Sequence, residues 1–216
     1  MFNLQDILLG VPTTLLALTV HEYAHGWVSD KLGDPTPRME GRLTLNPLYH
    51  LDLYGTILMI ITGFGWARPV RVNARYYKDV KKGMALTAAA GPIANFLLAI
   101  VGLFIGFLIS FLMAKLGAGE NAIYMVTNIA YFFAVRNLCF MVFNLIPFPP
   151  LDGFKVAGLF IPGKYYYQIL RYEHYIMYAL MFLALIGAFD FIISGGVYFF
   201  LDIIVSALSK LFGIFM

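Results

Sequence analysis

Residues 7–25, ILLGVPTTLLALTVHEYAH, decide how this chain folds and what it could do. No charged residue occurs from Ile7 to Val20, and the apolar run ends in His21-Glu22-Tyr23-Ala24-His25. On a helix, residues four apart share a face, so His21 and His25 can both reach one zinc ion. Glu22 lies one step round the helix, where it could hold a water beside the metal and take its proton. Ionisable groups at membrane depth are costly and by default mark function.

The composition fits a membrane setting. Of 216 residues, 61% are hydrophobic and 12% charged, and the mean hydropathy is +0.78. Soluble domains carry about 25% charged residues. The expectation is an all-α polytopic membrane protein with about five transmembrane helices and a small β-like or re-entrant segment after the first. Residues 1–216 read as one unit, with a core over about 4–160 and a helical hairpin over about 172–213. The lone Cys139 sits in an apolar run and reads as a small buried hydrophobe. The net charge of +3 follows membrane topology and gives no sign of nucleic-acid binding. The N-terminus lacks a basic n-region and a small-residue cleavage site, so the first helix is expected to stay.

Glycine and proline at Gly33-Asp34-Pro35 predict the end of the first helix near Leu32. Between Pro35 and Lys82 the pattern changes to turns and two β-like pieces, Arg42–Leu45 and Ala67–Val72. Leu53 to Gly65 is apolar but short, as in a re-entrant or interfacial piece. No charge occurs from Gly83 to Ala114, which marks the second helix, interrupted by Gly91-Pro92-Ile93-Ala94-Asn95. A third runs from about Ala122 to Leu145 and stops at Pro147, Pro149 and Pro150. A short helical piece over about 153–160 follows. Two further apolar stretches, about 172–193 and 197–212, are split by Ser194-Gly195-Gly196. Nine of the fifteen basic residues lie between Lys31 and Lys82. By the positive-inside rule the N-terminus is outside and the His-bearing end of the first helix faces the cytoplasm.

A catalytic zinc takes three protein ligands and keeps one position open. His50 and His174 are candidates for the third, each beside polar residues at a loop or helix boundary. Asp152 is the better candidate, because it directly follows an apolar helix that returns it to the side of His25. Arg136, halfway along the third helix, reads as structural, paired with Asp190, Asp202 or backbone carbonyls.

These motifs resemble the site-2 protease family of intramembrane zinc metalloproteases. The resemblance rests on H-E-x-x-H in an apolar helix, Gly91-Pro92-x-x-Asn95 in the next, and Asn144-x-x-Pro147 leading to Leu151-Asp152-Gly153. Arg42-Leu43-Thr44-Leu45-Asn46-Pro47 and Gly65-Trp66-Ala67-Arg68-Pro69-Val70 look like its compact prokaryotic branch, without PDZ or nucleotide-sensing domains. It covers about Thr14 to Phe154. The resemblance implies that His21, His25 and Asp152 bind one Zn²⁺ per chain and that Glu22 is the general base. The implied activity is hydrolysis of peptide bonds in or near transmembrane segments of a protein or peptide substrate, within the lipid bilayer. Asn144, and less directly Asn95, could donate to the substrate backbone or the oxyanion. The Ala67–Val72 piece, through N–H groups such as that of Val70, could pair with an unwound substrate as an added strand. Rival readings are a zinc hydrolase for small or lipid-linked substrates and a non-proteolytic zinc scaffold or metal transporter. A scaffold would not need Glu22, and a transporter would favour several exchangeable sites where this chain offers one constellation.

Overall fold

The computed structural model describes residues 4–56 and 67–213. The first helix, α1, spans Leu4–Lys31. It ends where Gly33 takes the left-handed conformation (φ 103°), followed by Asp34 and Pro35. A one-turn helix, α2 (Thr36–Met39), and two 3₁₀ turns, Pro47–Tyr49 and Ala74–Tyr76, punctuate the long connection. Asn46 and Asn73 cap those turns by accepting from Leu48 N and Arg75 N.

The longest helix, α3, runs Val80–Lys115, with Asp79 capping it by accepting from Lys82 N. Helix α4 is Glu120–Asn144. Beyond the proline cluster come α5 (Asp152–Ala157), α6 (Gly163–Leu170), α7 (Glu173–Leu185) and α8 (Asp190–Phe212). Helices α3, α4 and α8 close around one apolar core. Ala99, Leu103 and Phe107 meet Ala130, Ala134, Leu138 and Met141, with Val197, Ile204 and Leu208 from the third side. Small residues let the backbones come close, since a Cβ on Gly106 would collide with the Ala130 methyl.

Three expectations change. Among the described residues, three helices are long and apolar enough to cross a membrane (α3, α4 and α8), fewer than about five. Helix α1 has the length, but Thr13, Thr14, Thr19, His21, Glu22 and His25 dilute its hydropathy, and α7 has 13 residues. The hairpin breaks not at Ser194-Gly195-Gly196 but at residues 186–189, where Gly187 adopts φ 75°. Gly196 instead lies inside α8, packed so that a Cβ would sit 2.9 Å from Val142 Cγ1. Glycine here serves helix contact, not helix termination.

The third concerns the β-like pieces. No strand forms among the described residues, and only an isolated antiparallel bridge joins Leu51 to Ala67. The re-entrant reading of 53–65 falls mostly outside the described residues, of which 53–56 form a helical turn. Arg136 pairs with neither Asp190 nor Asp202 among the described residues. Its guanidinium lies over the Phe132 ring, 5.2 Å from the centroid, and beside Gly10 of α1.

Candidate metal centre

Two helices deliver the donors. α1 presents His21 and His25 one turn apart, and their rings meet edge to face with centroids 4.5 Å apart. Asp152 opens α5 just beyond the proline cluster, and its Oδ2 lies 3.1 Å from His21 Nε2 and 3.0 Å from His25 Nε2. All three residues are buried. One ligand atom from each lies within 4.8 Å of the other two, the spacing of a metal-ligand set. His50 and His174 do not join them. His50 is buried elsewhere, with Nε2 on the Thr44 carbonyl, and His174 is exposed on α7.

The chemistry of these donors fits a cation. His25 Nδ1 lies 2.7 Å from the Thr87 carbonyl, which can only accept, so Nδ1 carries the proton. His21 Nδ1 lies 2.6 Å from Asn95 Oδ1. That amide cannot turn round, because Asn95 Nδ2 donates to the Ala17 carbonyl and to Asn137 Oδ1, both at 3.1 Å. Asn137 is fixed in turn by donating from Nδ2 to the Phe133 carbonyl. In the neutral imidazoles both Nε2 atoms are therefore bare lone pairs, aimed at a carboxylate oxygen with no hydrogen between them. Positive charge must fill that gap, and a divalent metal does so with ligands whose tautomers are already set. Burial pushes the Asp152 carboxyl up, but the positive charge and N–H donation of the facing rings whenever Nε2 is protonated, with Lys155 3.2 Å from Oδ1, outweigh it and hold it well below the usual carboxylate range. A bound cation would take the place of those ring protons. The carboxylate is ionised, as a ligand must be.

Space for an ion is kept by Gly91 of α3. A Cβ there would stand 2.5 Å from His25 Nε2 and 2.6 Å from His21 Nε2. Pro92 follows, and the freed backbone is tolerated in a helix buried on this face.

Glu22 points to the same side, half-buried, and its Oε2 accepts from Val70 N at 2.8 Å. All but one of the site residues proposed from the sequence line a cavity of about 440 Å³, walled by His21, Glu22, His25, Val70, Asn144 and Asp152 and by apolar Leu18, Met84, Phe140 and Leu151. Asn144 stands on this wall with its Nδ2 on its own helix's Phe140 carbonyl, 3.0 Å away. Asn95 does not line the cavity. It is fully buried behind His21, which it orients.

Three contributors escape sequence reasoning. Asn137 and Thr87 sit in apolar helices where a lone polar residue has many bland roles, and only their partners reveal them. Arg42 is the third. It is buried, and its Nη2 donates to the carbonyls of Arg68 (2.7 Å) and Pro69 (2.9 Å). With Arg68 N on the His50 carbonyl and Val70 N on Glu22, the backbone of 68–70 is held from both sides.

Comparison with known proteins places the chain in a family. The profile of peptidase family M50 matches residues 13–187. A Bacillus subtilis (strain 168) protein named "Putative zinc metalloprotease YwhC" is 39% identical over 184 residues, covering 83% of this chain and 82% of its own. A Mycolicibacterium smegmatis protein named "Putative zinc metalloprotease Rip2" is 29% identical over 145 residues, 65% of this chain and 52% of its own. No solved structure matches. A family profile spanning most of the chain, around a buried pair of histidines and an aspartate, leaves one assignment: the chain belongs to peptidase family M50, the site-2 proteases, and is a zinc metalloendopeptidase with membrane-spanning helices.

Proposed function

We propose that this protease hydrolyses peptide bonds in or near transmembrane segments of substrate proteins, with one zinc held by His21, His25 and Asp152. The observation that carries this reading is where the donor set lies: buried among helices, two of which are long and apolar enough to cross a bilayer, in a cavity largely walled by apolar side chains. When bound, zinc polarises the scissile carbonyl and makes a neighbouring water acidic near pH 7. Glu22 takes the proton of the attacking water and passes it to the leaving amine nitrogen. The N–H of Val70 holds Glu22 Oε2 and so fixes where that proton is received. Asn144, turned from the Phe140 carbonyl, donates Nδ2–H to the developing oxyanion. Asn95 acts one layer back, by holding the His21 ring.

A helical substrate hides its peptide bonds and must unwind first. The unwound stretch lies along residues 67–72 as an added strand, using backbone groups beyond those that Arg42 and Glu22 occupy. The excess of basic residues between Lys31 and Lys82 supports a cytoplasmic setting for this end of α1, with the N-terminus outside.

Wild type, Glu22→Gln and Asp152→Ala, assayed on labelled transmembrane and soluble peptides with and without chelator, test the reading. Glu22→Gln should keep its zinc and lose at least ~10² in cleavage rate, as for a lost general base. Asp152→Ala should lose both zinc and activity. Wild-type cleavage by Glu22→Gln removes Glu22 from the reaction. Cleavage confined to soluble peptides removes the membrane substrate.

A further inference from the structure

On the other side of the 67–72 segment lies a second cavity, of about 400 Å³, that shares no residue with the first. Glu40, Arg42, Leu48, Tyr49, Arg68 and Arg71 line it. Three guanidiniums thus face one carboxylate. The one ion pair among them, Arg71 to Glu40, is 3.8 Å long and exposed on the arginine side, so it neutralises little.

Arg42 is the unusual member. It is 5% exposed, yet only its Nη2 meets acceptors among the described residues, leaving Nε and Nη1 with three unspent N–H donors. Burial and the like charges of Arg68 and Arg71 push its guanidinium down, although the carboxylates of Glu22 and Glu40 oppose this. Among the described residues these spare donors have no acceptor and are not sealed from solvent, so they can meet an anion in the cavity that Arg68 and Arg71 also line. Guanidinium forks match phosphate oxygens in pairs, with geometry and charge together.

The rim indicates where such an anion comes from. Leu48 and Tyr49, which line the cavity beside the arginines, are exposed apolar or aromatic side chains, at 75% and 54%. Leucine and tyrosine beside arginine suit the boundary between headgroups and acyl chains. We propose that the Arg42–Arg68–Arg71 pocket binds a phosphate group, supplied by the headgroup of an anionic phospholipid at the membrane surface. The bound group would neutralise repulsion on the very segment whose Val70 N–H reaches Glu22.

The test is a binding measurement and needs no cleavage. Zinc-loaded full-length protein in neutral detergent is titrated with short-chain phosphatidylglycerol and, separately, with inorganic phosphate, reading the unfolding temperature. Phosphatidylglycerol should raise it saturably. Arg68→Gln/Arg71→Gln, both exposed and expected to fold with zinc bound, should need about tenfold more lipid for half the effect, as for lost charge-assisted bonds. Glu40→Gln should need less lipid, since it removes the competing carboxylate. Equal titrations for wild type and the double variant overturn the site. A response to inorganic phosphate with none to phosphatidylglycerol overturns the headgroup as its source.

Discussion

Two walls of the protease cavity are built by opposite means. The helical wall fixes side chains with side chains: Asn137 holds Asn95, Asn95 holds His21, and every member sits on α1, α3 or α4. The facing wall, residues 67–72, has no ladder partner beyond one bridge among the described residues, and side chains fix its backbone instead. Arg42 takes two carbonyls and Glu22 takes one N–H. A helix satisfies its own main chain, so its side chains are free to carry the site. An isolated extended segment must borrow partners, and here it borrows Glu22, the proposed general base. The first wall is therefore expected to be rigid, and the second to be the part that substrate or surface ligands can move.

The helical wall breaks most sharply at Gly91→Ala. The added Cβ would enter the space before both Nε2 atoms, and α3 cannot retreat because it is packed between α1 and α4. Zinc per purified chain should fall to background, with helix content by circular dichroism unchanged. Normal zinc occupancy would mean that the two helices shift to make room and that the wall is softer than its hydrogen bonds imply.

Val70→Pro sharpens the comparison from the other side. It removes the N–H that Glu22 accepts and leaves the zinc donors alone. Losing a hydrogen bond to a charged group should lower cleavage by about 10- to 100-fold. The substrate panel separates two roles. If the donor serves Glu22, short soluble peptides and helical substrates suffer alike. If it serves an added strand, only substrates that must unwind suffer. Val70→Ala keeps the donor and should stay near wild type in both.

Local features were legible in the sequence and distant pairings were not. The meeting of His21 and His25 follows from four-residue spacing within one helix, and Asp152 from a helix that returns the chain to the same end. Helix ends at Gly33 and Pro147 follow from backbone chemistry that needs no partner. By contrast, whether glycine stops a helix or packs it depends on a neighbour, here Val142 against Gly196, 54 positions earlier in the chain. Val70 shows the same limit. Its alternating apolar pattern reads as strand, but Arg42 and Glu22, from remote positions, take its neighbours' carbonyls and its own N–H. Asn137 and Thr87 are ordinary residue types whose roles exist only through the ring nitrogens they help to orient.

The two walls are also tied together, and cutting that tie should have the smallest effect. Asp34, fully buried, accepts from Ser29 Oγ (2.8 Å), Asn73 N (2.7 Å) and Thr36 N (3.0 Å). Ser29 Oγ continues to Tyr77 OH at 2.7 Å, and Tyr77 OH to Thr87 Oγ1 at 3.1 Å, on the residue whose carbonyl orients His25. Burial pushes the Asp34 carboxyl up, but these donors outweigh it and hold it below the usual carboxylate range. Because its pKa is lowered on folding, Asp34 contributes stability that is present above the unfolded value of about 3.9 and is lost as pH falls through the folded value. Asp34→Asn replaces an acceptor oxygen by an amino group facing a donor, at a cost of about 1.5–3 kcal/mol near pH 7. The unfolding temperature of the metal-free variant should lie below that of metal-free wild type at neutral pH, and the gap should close below about pH 4. Zinc content and cleavage at neutral pH should be close to normal, since Thr87 keeps its carbonyl on His25 through the helix backbone. A gap that persists unchanged into acid would mean that Asp34 acts by shape alone, not as an ionised acceptor.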